Sequence, residues 1–185
     1  TNGGSFEFTI SENNWLGEGK KLDFNLASDS ESLSGTISYN DPNYNFLGNS
    51  INYYVSSKEN DKPESGYENT VVAAGIGTAF EQYKNIYTDL SLSASYDDLR
   101  TLDSASDNLK KQSGNFSDLT GAYGIKYDTR NRSFRPTDGS IIYFNQELPI
   151  YADKQSISNS LSVSKYNALS ENAVLGSKFL ISTIT

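Results

Sequence analysis

Asp89-Leu90-Ser91-Leu92-Ser93-Ala94-Ser95-Tyr96 alternates a polar residue with an apolar one along its whole length. Successive side chains of a strand point to opposite faces, so Leu90, Leu92, Ala94 and Tyr96 form an oily face and Asp89, Ser91, Ser93 and Ser95 a wet one. The same period of two recurs on both sides. Phe6, Phe8 and Ile10 alternate with Glu7, Thr9 and Ser11, and Leu22, Phe24 and Leu26 with Asp23 and Asn25. Leu33, Ile37 and Tyr39 oppose Ser34, Thr36 and Ser38, while Ile51, Tyr53 and Val55 share a face. Leu119, Tyr123, Ile125 and Tyr127 oppose Asp118, Thr120, Lys126 and Asp128. Ser156, Ser158, Ser160, Ser162 and Ser164 place a hydroxyl row on one side of a late strand, which belongs beside water. Ten strands are predicted, near residues 5–12, 20–28, 31–40, 49–57, 67–82, 86–100, 115–130, 140–151, 156–169 and 173–185. No window carries a helical stripe, and the chain reads as all-β.

Composition removes most enzyme chemistry. The 185 residues contain no His and no Cys, so imidazole-based nucleophile activation, thiolate or imidazole zinc sites and disulfides are excluded. No catalytic residue, cofactor site or metal site is assigned. Fifteen Lys and Arg against 23 Asp and Glu leave a net charge of -8, the wrong sign for a phosphate backbone, and nucleic acid is not an expected partner. There is no Met, even at position 1, and the chain is read as processed or cut from something longer. The uncharged part of residues 69–80 is far short of the roughly 20 apolar residues a membrane helix needs, whereas a barrel strand crosses with only about 9–11.

The connections favour the second route. Asn14-Trp15-Leu16-Gly17, Asp41-Pro42-Asn43-Tyr44, Lys84-Asn85, residues 130–139 and Glu171-Asn172 join strands at one end, with turn residues and aromatics. At the other end residues 58–66 and 101–114 read as longer polar loops. Trp15, Tyr39, Tyr44, Phe46, Tyr83, Tyr87, Tyr127 and Phe134 lie near the short-turn ends, where an interfacial aromatic girdle is expected. A soluble β-sandwich also alternates its faces, but long strands, gathered aromatics and alternating loop character all favour an outer-membrane barrel. In that reading the oily parity touches lipid and the polar parity lines a wet lumen.

Few other patterns suggest chemistry. Gly75-Ile76-Gly77 lacks the third glycine and the following helix of a phosphate loop, and reads as a bend or close approach within a strand. Asp97, Asp98, Asp103 and Asp107 read as solvated carboxylates, without the spacing of a calcium loop. Arg130, Arg132 and Arg135 concentrate positive charge around Phe134-Arg135-Pro136-Thr137-Asp138-Gly139-Ser140, and form either a plain hairpin turn or a periplasmic docking site for carboxylates.

Three of these segments together resemble a known family. Asn14, Trp15, Leu16 and Gly17 before a strand, Tyr39-Asn40-Asp41-Pro42-Asn43-Tyr44 entering a turn, and Phe134, Arg135, Pro136, Thr137, Asp138, Gly139 and Ser140 opening a strand are similar in order and spacing to the barrel of the BamA family. Its members are outer-membrane protein assembly factors of Gram-negative bacteria. The resemblance implies an antiparallel up-and-down transmembrane β-barrel of sixteen strands, of which residues 1–185 supply about ten as part of a single domain. By the same resemblance Thr1 to Ser5 match the first extracellular loop. The first strand, the periplasmic POTRA domains, the sixth loop with its Val-Arg-Gly-Phe/Tyr motif and the C-terminal strands are expected to lie outside this chain.

The implied location is the bacterial outer membrane. The implied partners are unfolded outer-membrane proteins, accessory assembly lipoproteins and lipid, with no cofactor and no enzymatic activity. A polypeptide-exporting transporter of the same superfamily and a passive porin-type channel stay open as alternatives. The isolated chain is expected to aggregate in water, because it presents an oily surface and unpaired edges.

Overall fold

The structure, a computed structural model, describes residues 3–153 and 155–185. Thr1 and Asn2, within the predicted leading loop, lie outside the described residues. The strands are β1 (Phe6–Trp15), β2 (Lys20–Ser28), β3 (Ser32–Asp41), β4 (Ser50–Lys62), β5 (Tyr67–Tyr83), β6 (Ile86–Thr101), β7 (Gly114–Asp128), β8 (Gly139–Tyr151), β9 (Ser158–Ser170) and β10 (Ala173–Ile184). They form one ten-stranded sheet in sequence order, with each consecutive pair antiparallel. This is the up-and-down arrangement that the alternation predicts.

Burial decides between sandwich and barrel. In a soluble sandwich the apolar parity is covered by a second layer. Here it is the more exposed one: Leu90 is 45% and Val55 56% exposed, whereas Ser93, Ser95, Ser34, Thr36 and Ser38 are half-buried. That difference is the one a curled sheet produces when its polar side is concave and its oily side convex. Aromatic contacts gather on the convex side, with ring centroids of Phe8 and Phe24 6.3 Å apart, Tyr39 and Tyr53 6.2 Å, and Tyr123 and Phe144 6.1 Å. Polar side chains pair across the concave side: Asn25 Nδ2 donates to Glu7 Oε1 and Thr9 Oγ1, and Asn60 Nδ2 to Asn69 Oδ1. Among the described residues no hydrophobic cluster is buried, and no helix is long and apolar enough to cross a membrane.

The predicted strands all occur, with three differences. The first is that β4 runs to Lys62, so the expected loop at 58–66 shrinks to one 3-10 turn, Pro63–Ser65, and Gly66. Residues 58–62 are polar on both parities, which hides a strand from a periodicity argument, yet they pair on both sides, Asn60 with Ser32 and with Asn69. The second is that residues 29–31 alone join β2 to β3 at the end expected to carry long loops. Length therefore marks that end mainly through residues 102–113, which also hold a single helical turn, α1 (Asp107–Lys110), capped by the Ser106 hydroxyl. The third is that Tyr87 is not part of an outward girdle. It lies on the parity of Asp89, facing the concave side with the Lys126 ammonium 4.7 Å from its ring centre.

Candidate functional site

The motif turns share one end of the sheet. In the first, the Asn14 carbonyl accepts from Gly17 N at 2.8 Å and its side chain from Gly19 N at 2.7 Å, leaving Trp15 and Leu16 outward. In the second, Asp41 accepts from Asn43 N across Pro42, and the Asn45 side chain closes the following loop through Leu47 N and Asn49 N. Phe46 at its tip is 97% exposed. Lys20, which opens β2, lies 3.9 Å from Asp41 and ties these two turns together. The third, at 129–138 between β7 and β8, sits at the same end but four strands from β3, so the structure does not join it to the others.

That third turn is held from inside. Asn131 spans it, accepting from Thr137 N and Asp138 N and donating from Nδ2 to Thr137 Oγ1 at 2.7 Å. Its base closes through Thr129 N to Ser140 O and Ser140 N to Thr129 Oγ1. Gly139 has φ 96°, and a Cβ there would stand 2.3 Å from the Thr129 carbonyl oxygen. Glycine is required on both counts.

The three arginines have different surroundings. Arg130 is half-buried and grips Asp128 with two parallel bonds, Nε to Oδ1 at 2.9 Å and Nη2 to Oδ2 at 2.7 Å. This carboxylate pushes the Arg130 guanidinium further above its ordinary range. Arg132 donates through Nε to the Arg135 carbonyl, and Arg135, at φ 49°, sets its guanidinium 5.2 Å from the ring centre of Phe134, which is 77% exposed. Arg132 and Arg135 are exposed with the Phe134 tip between them, and Arg130 alone of the three is half-buried.

Behind this turn, on the concave face, lies a shallow recess of about 500 Å³ lined by residues of β6 to β10. Its rows follow from register: Lys126 of β7 pairs with Tyr143 of β8 and that with Ser162 of β9, while Ile141 pairs with Ser164 and that with Lys178 of β10. Asp89 of β6 enters from the next row, opposite Gly124. Tyr143 crosses above Gly124 to donate to Asp89 Oδ2 at 3.1 Å, tying β6 to β8 over the strand between them. None of Asp89, Gly124, Lys126, Tyr143 or Lys178 stands out in the sequence. Only the strand register brings them together.

The other sequence candidates are scattered. Gly75 and Gly77 lie in mid-β5 beneath the Tyr54 ring and the Asn52 amide, which fill the space a side chain would need. Asp98 pairs with Arg100, and Asp97 accepts from Asn69.

One curled sheet with consecutive antiparallel strands, a polar concave face and an exposed oily convex face defines a section of an up-and-down transmembrane β-barrel. The chain belongs to the Omp85 superfamily, whose domain model matches residues 14–183. Its fold is similar to that of BamA from Haemophilus ducreyi lacking POTRA domains 1–3, with a TM-score of 0.76 at 20% identity. The match covers 99% of this chain and 39% of that one, so this chain spans well under half of the protein it resembles.

Proposed function

We propose that this chain forms the static wall of an assembly-factor barrel in the bacterial outer membrane. There it helps unfolded β-barrel proteins fold and insert. The observation that carries the reading is the superfamily match over residues 14–183, supported by the likeness to the BamA barrel along nearly the whole chain. The physical need is plain. A strand entering lipid exposes backbone N–H and C=O groups, each costing several kcal/mol, until another strand edge pairs with them. A barrel that presents an edge supplies those partners by β-augmentation. No covalent bond changes, so the task needs no catalytic residue.

In this reading β1 to β10 hold shape while strands outside the chain open and close. The luminal ties across β7 and the gripped β7–β8 turn suit that role. Partners would be unfolded outer-membrane proteins, accessory lipoproteins and the surrounding lipid, with the Phe134–Arg135 tip available as a periplasmic contact for the lipoproteins.

Depletion of the full protein tests this. Falling levels of folded outer-membrane barrels, with unfolded precursors accumulating, support it. Unchanged barrels with loss of one secreted polypeptide would instead indicate an exporting member of the superfamily. Unchanged barrels with lost solute permeability would indicate a passive channel.

A further inference from the structure

We propose that a strip of amides on the convex face of β7–β9 holds one diacyl membrane lipid by its acyl carbonyls, in the leaflet far from the motif turns. The inference concerns a lipid-binding site and goes beyond the assembly reading. It rests only on the barrel fold and its oily convex face.

Tyr123, Gln146 and Asn159 stand opposite one another on three neighbouring strands. Their parity is the oily one. Gln146 shares its side of β8 with Ile142, Phe144 and Leu148, and Asn159 shares its side of β9 with Leu161 and Val163. The Tyr123 hydroxyl donates to Gln146 Oε1 at 3.1 Å, and Gln146 Nε2 donates to Asn159 Oδ1. These bonds use one of the four amide hydrogens that Gln146 and Asn159 carry. The other three meet no acceptor among the described residues, and the Asn159 amide nitrogen is not sealed from the exterior. An N–H turned toward hydrocarbon without an acceptor is costly, so the strip calls for one from whatever covers this face.

Depth narrows what that is. From Asn159 to the end of β9 at Ser170 the strand advances eleven residues, about 36 Å at roughly 3.3 Å each. Tilted by about 40°, that is some 28 Å of depth against an apolar band about 25 Å tall, so Asn159 stands at the far edge of the band. By the same measure Gln146, seven residues into β8 from Gly139, lies about 18 Å in, still inside the band and away from bulk water. A membrane-spanning partner has already used its backbone carbonyls in its own ladder or helix. Acyl linkages offer carbonyl acceptors and no donors, and they lie where hydrocarbon ends. Adjacent strands are about 4.8 Å apart, so the two amides can meet the two carbonyls of one diacyl lipid. The next row inward, Phe144, Leu161 and Ile181, is apolar and meets its chains.

Ether lipids test this, because they keep headgroup and chains but lack the carbonyls. The full protein is folded into vesicles of equal parts diester phosphatidylcholine and its diether counterpart, then extracted in mild detergent. Retained lipids are counted by native mass spectrometry. Ester lipid is expected to be enriched severalfold over ether lipid on the wild type, and the ratio to fall to near one in Gln146→Leu/Asn159→Leu. Asn159→Ala, a smaller change, should lower it part of the way. Heat-modifiable gel mobility confirms that each variant is folded.

A ratio near one on the wild type overturns the proposal and leaves the amides to water. A preference that survives the leucine substitutions overturns it too, since the carbonyls would then be bound elsewhere. Leu161→Cys carrying a photoreactive benzophenone, irradiated in native membranes, should capture lipid, and capture of a polypeptide in its place would assign the strip to a membrane protein instead. Because insertion of other barrels is not the readout, failure here leaves the assembly reading standing, and the reverse holds.

Discussion

Tyr143 donates its phenolic hydrogen to Asp89 at 3.1 Å across the top of Gly124, joining two strands that are not neighbours. Sheet hydrogen bonds link a strand only to its flanking strands. A side chain that reaches over a glycine couples the next one out and stiffens the wall against shear. A Cβ at Gly124 would stand 2.4 Å from Asp89 Oδ2 and 2.6 Å from the Tyr143 hydroxyl. Gly124→Ala and Tyr143→Phe are each expected to cost about 1–2 kcal/mol, the range of a hydrogen bond to a charged group discounted for luminal water. Since both remove one interaction, Gly124→Ala/Tyr143→Phe should cost little more than either single change. Urea unfolding of the micelle-bound protein checks this, and full additivity would show that the tie is not energetic.

The β7–β8 turn makes a sharper demand. At Gly139 the atoms in the way are backbone, the Thr129 carbonyl and Arg130 Cα, and they have no rotamer to change. Gly139→Ala also forces a side chain to φ 96°. A loss of order 1–3 kcal/mol is expected. Arg130→Lys should cost about 1 kcal/mol, because an ammonium replaces the two-pronged grip on Asp128 with a point contact. Both are read as lowered urea midpoints, and for Gly139→Ala also as reduced folding yield.

The strands themselves were legible because face periodicity survives without tertiary knowledge: β2 and β6 fall where alternation sets them. Residues 58–62 were not, since a strand wetted on both sides carries no contrast between its parities. The same limit hid the recess. Lys126 and Lys178 are separated by fifty-two positions, and only the pairings through Tyr143, Ser162 and Ser164 place them on one face. The hydroxyl row was visible as a wet face, and Ser158, Ser160, Ser162 and Ser164 do face the concave side, with Ser156 before the strand begins. That its last member, Ser164, is nearly closed to solvent followed from curvature, which alternation does not encode. The Phe134–Gly139 turn was recognisable by residue type, whereas the division of labour among its arginines depended on where Asp128 ends β7.

Acid should loosen the opposite end of the sheet as well. Asp29, in the connection between β2 and β3, accepts from Glu31 N and from the Ser32 hydroxyl, and these bonds hold its carboxyl below the usual range. With the folded value depressed, its stabilising contribution is complete above the unfolded value of about 3.9 and is lost as pH falls through the folded one. Asp29→Ala should therefore lower the urea midpoint at pH 7, and the gap from the wild type should begin to narrow below about pH 4 and close as the folded carboxyl takes up its proton. A gap that persists at pH 2 would assign the effect to something other than the carboxylate.

The orientation of the two faces yields the most direct trial of the barrel itself. Leu92 and Ser91 are consecutive in β6, at nearly the same depth, and point to opposite sides of the sheet. Leu92 packs on the convex face with Ile76 across the ladder, and Ser91, itself exposed, stands on the concave face between Gly77 and Ala122. If the convex side touches hydrocarbon, Leu92→Arg carries a guanidinium into lipid at a cost of about 2–4 kcal/mol near the midplane. Ser91→Arg places the same group in luminal water and should stay within about 0.5 kcal/mol. Folding of each variant into phospholipid vesicles, followed by urea titration and heat-modifiable mobility, measures the difference. A larger cost at Ser91 would mean that water and lipid are on the opposite sides from those assigned, and equal costs would mean that neither face is set apart by lipid.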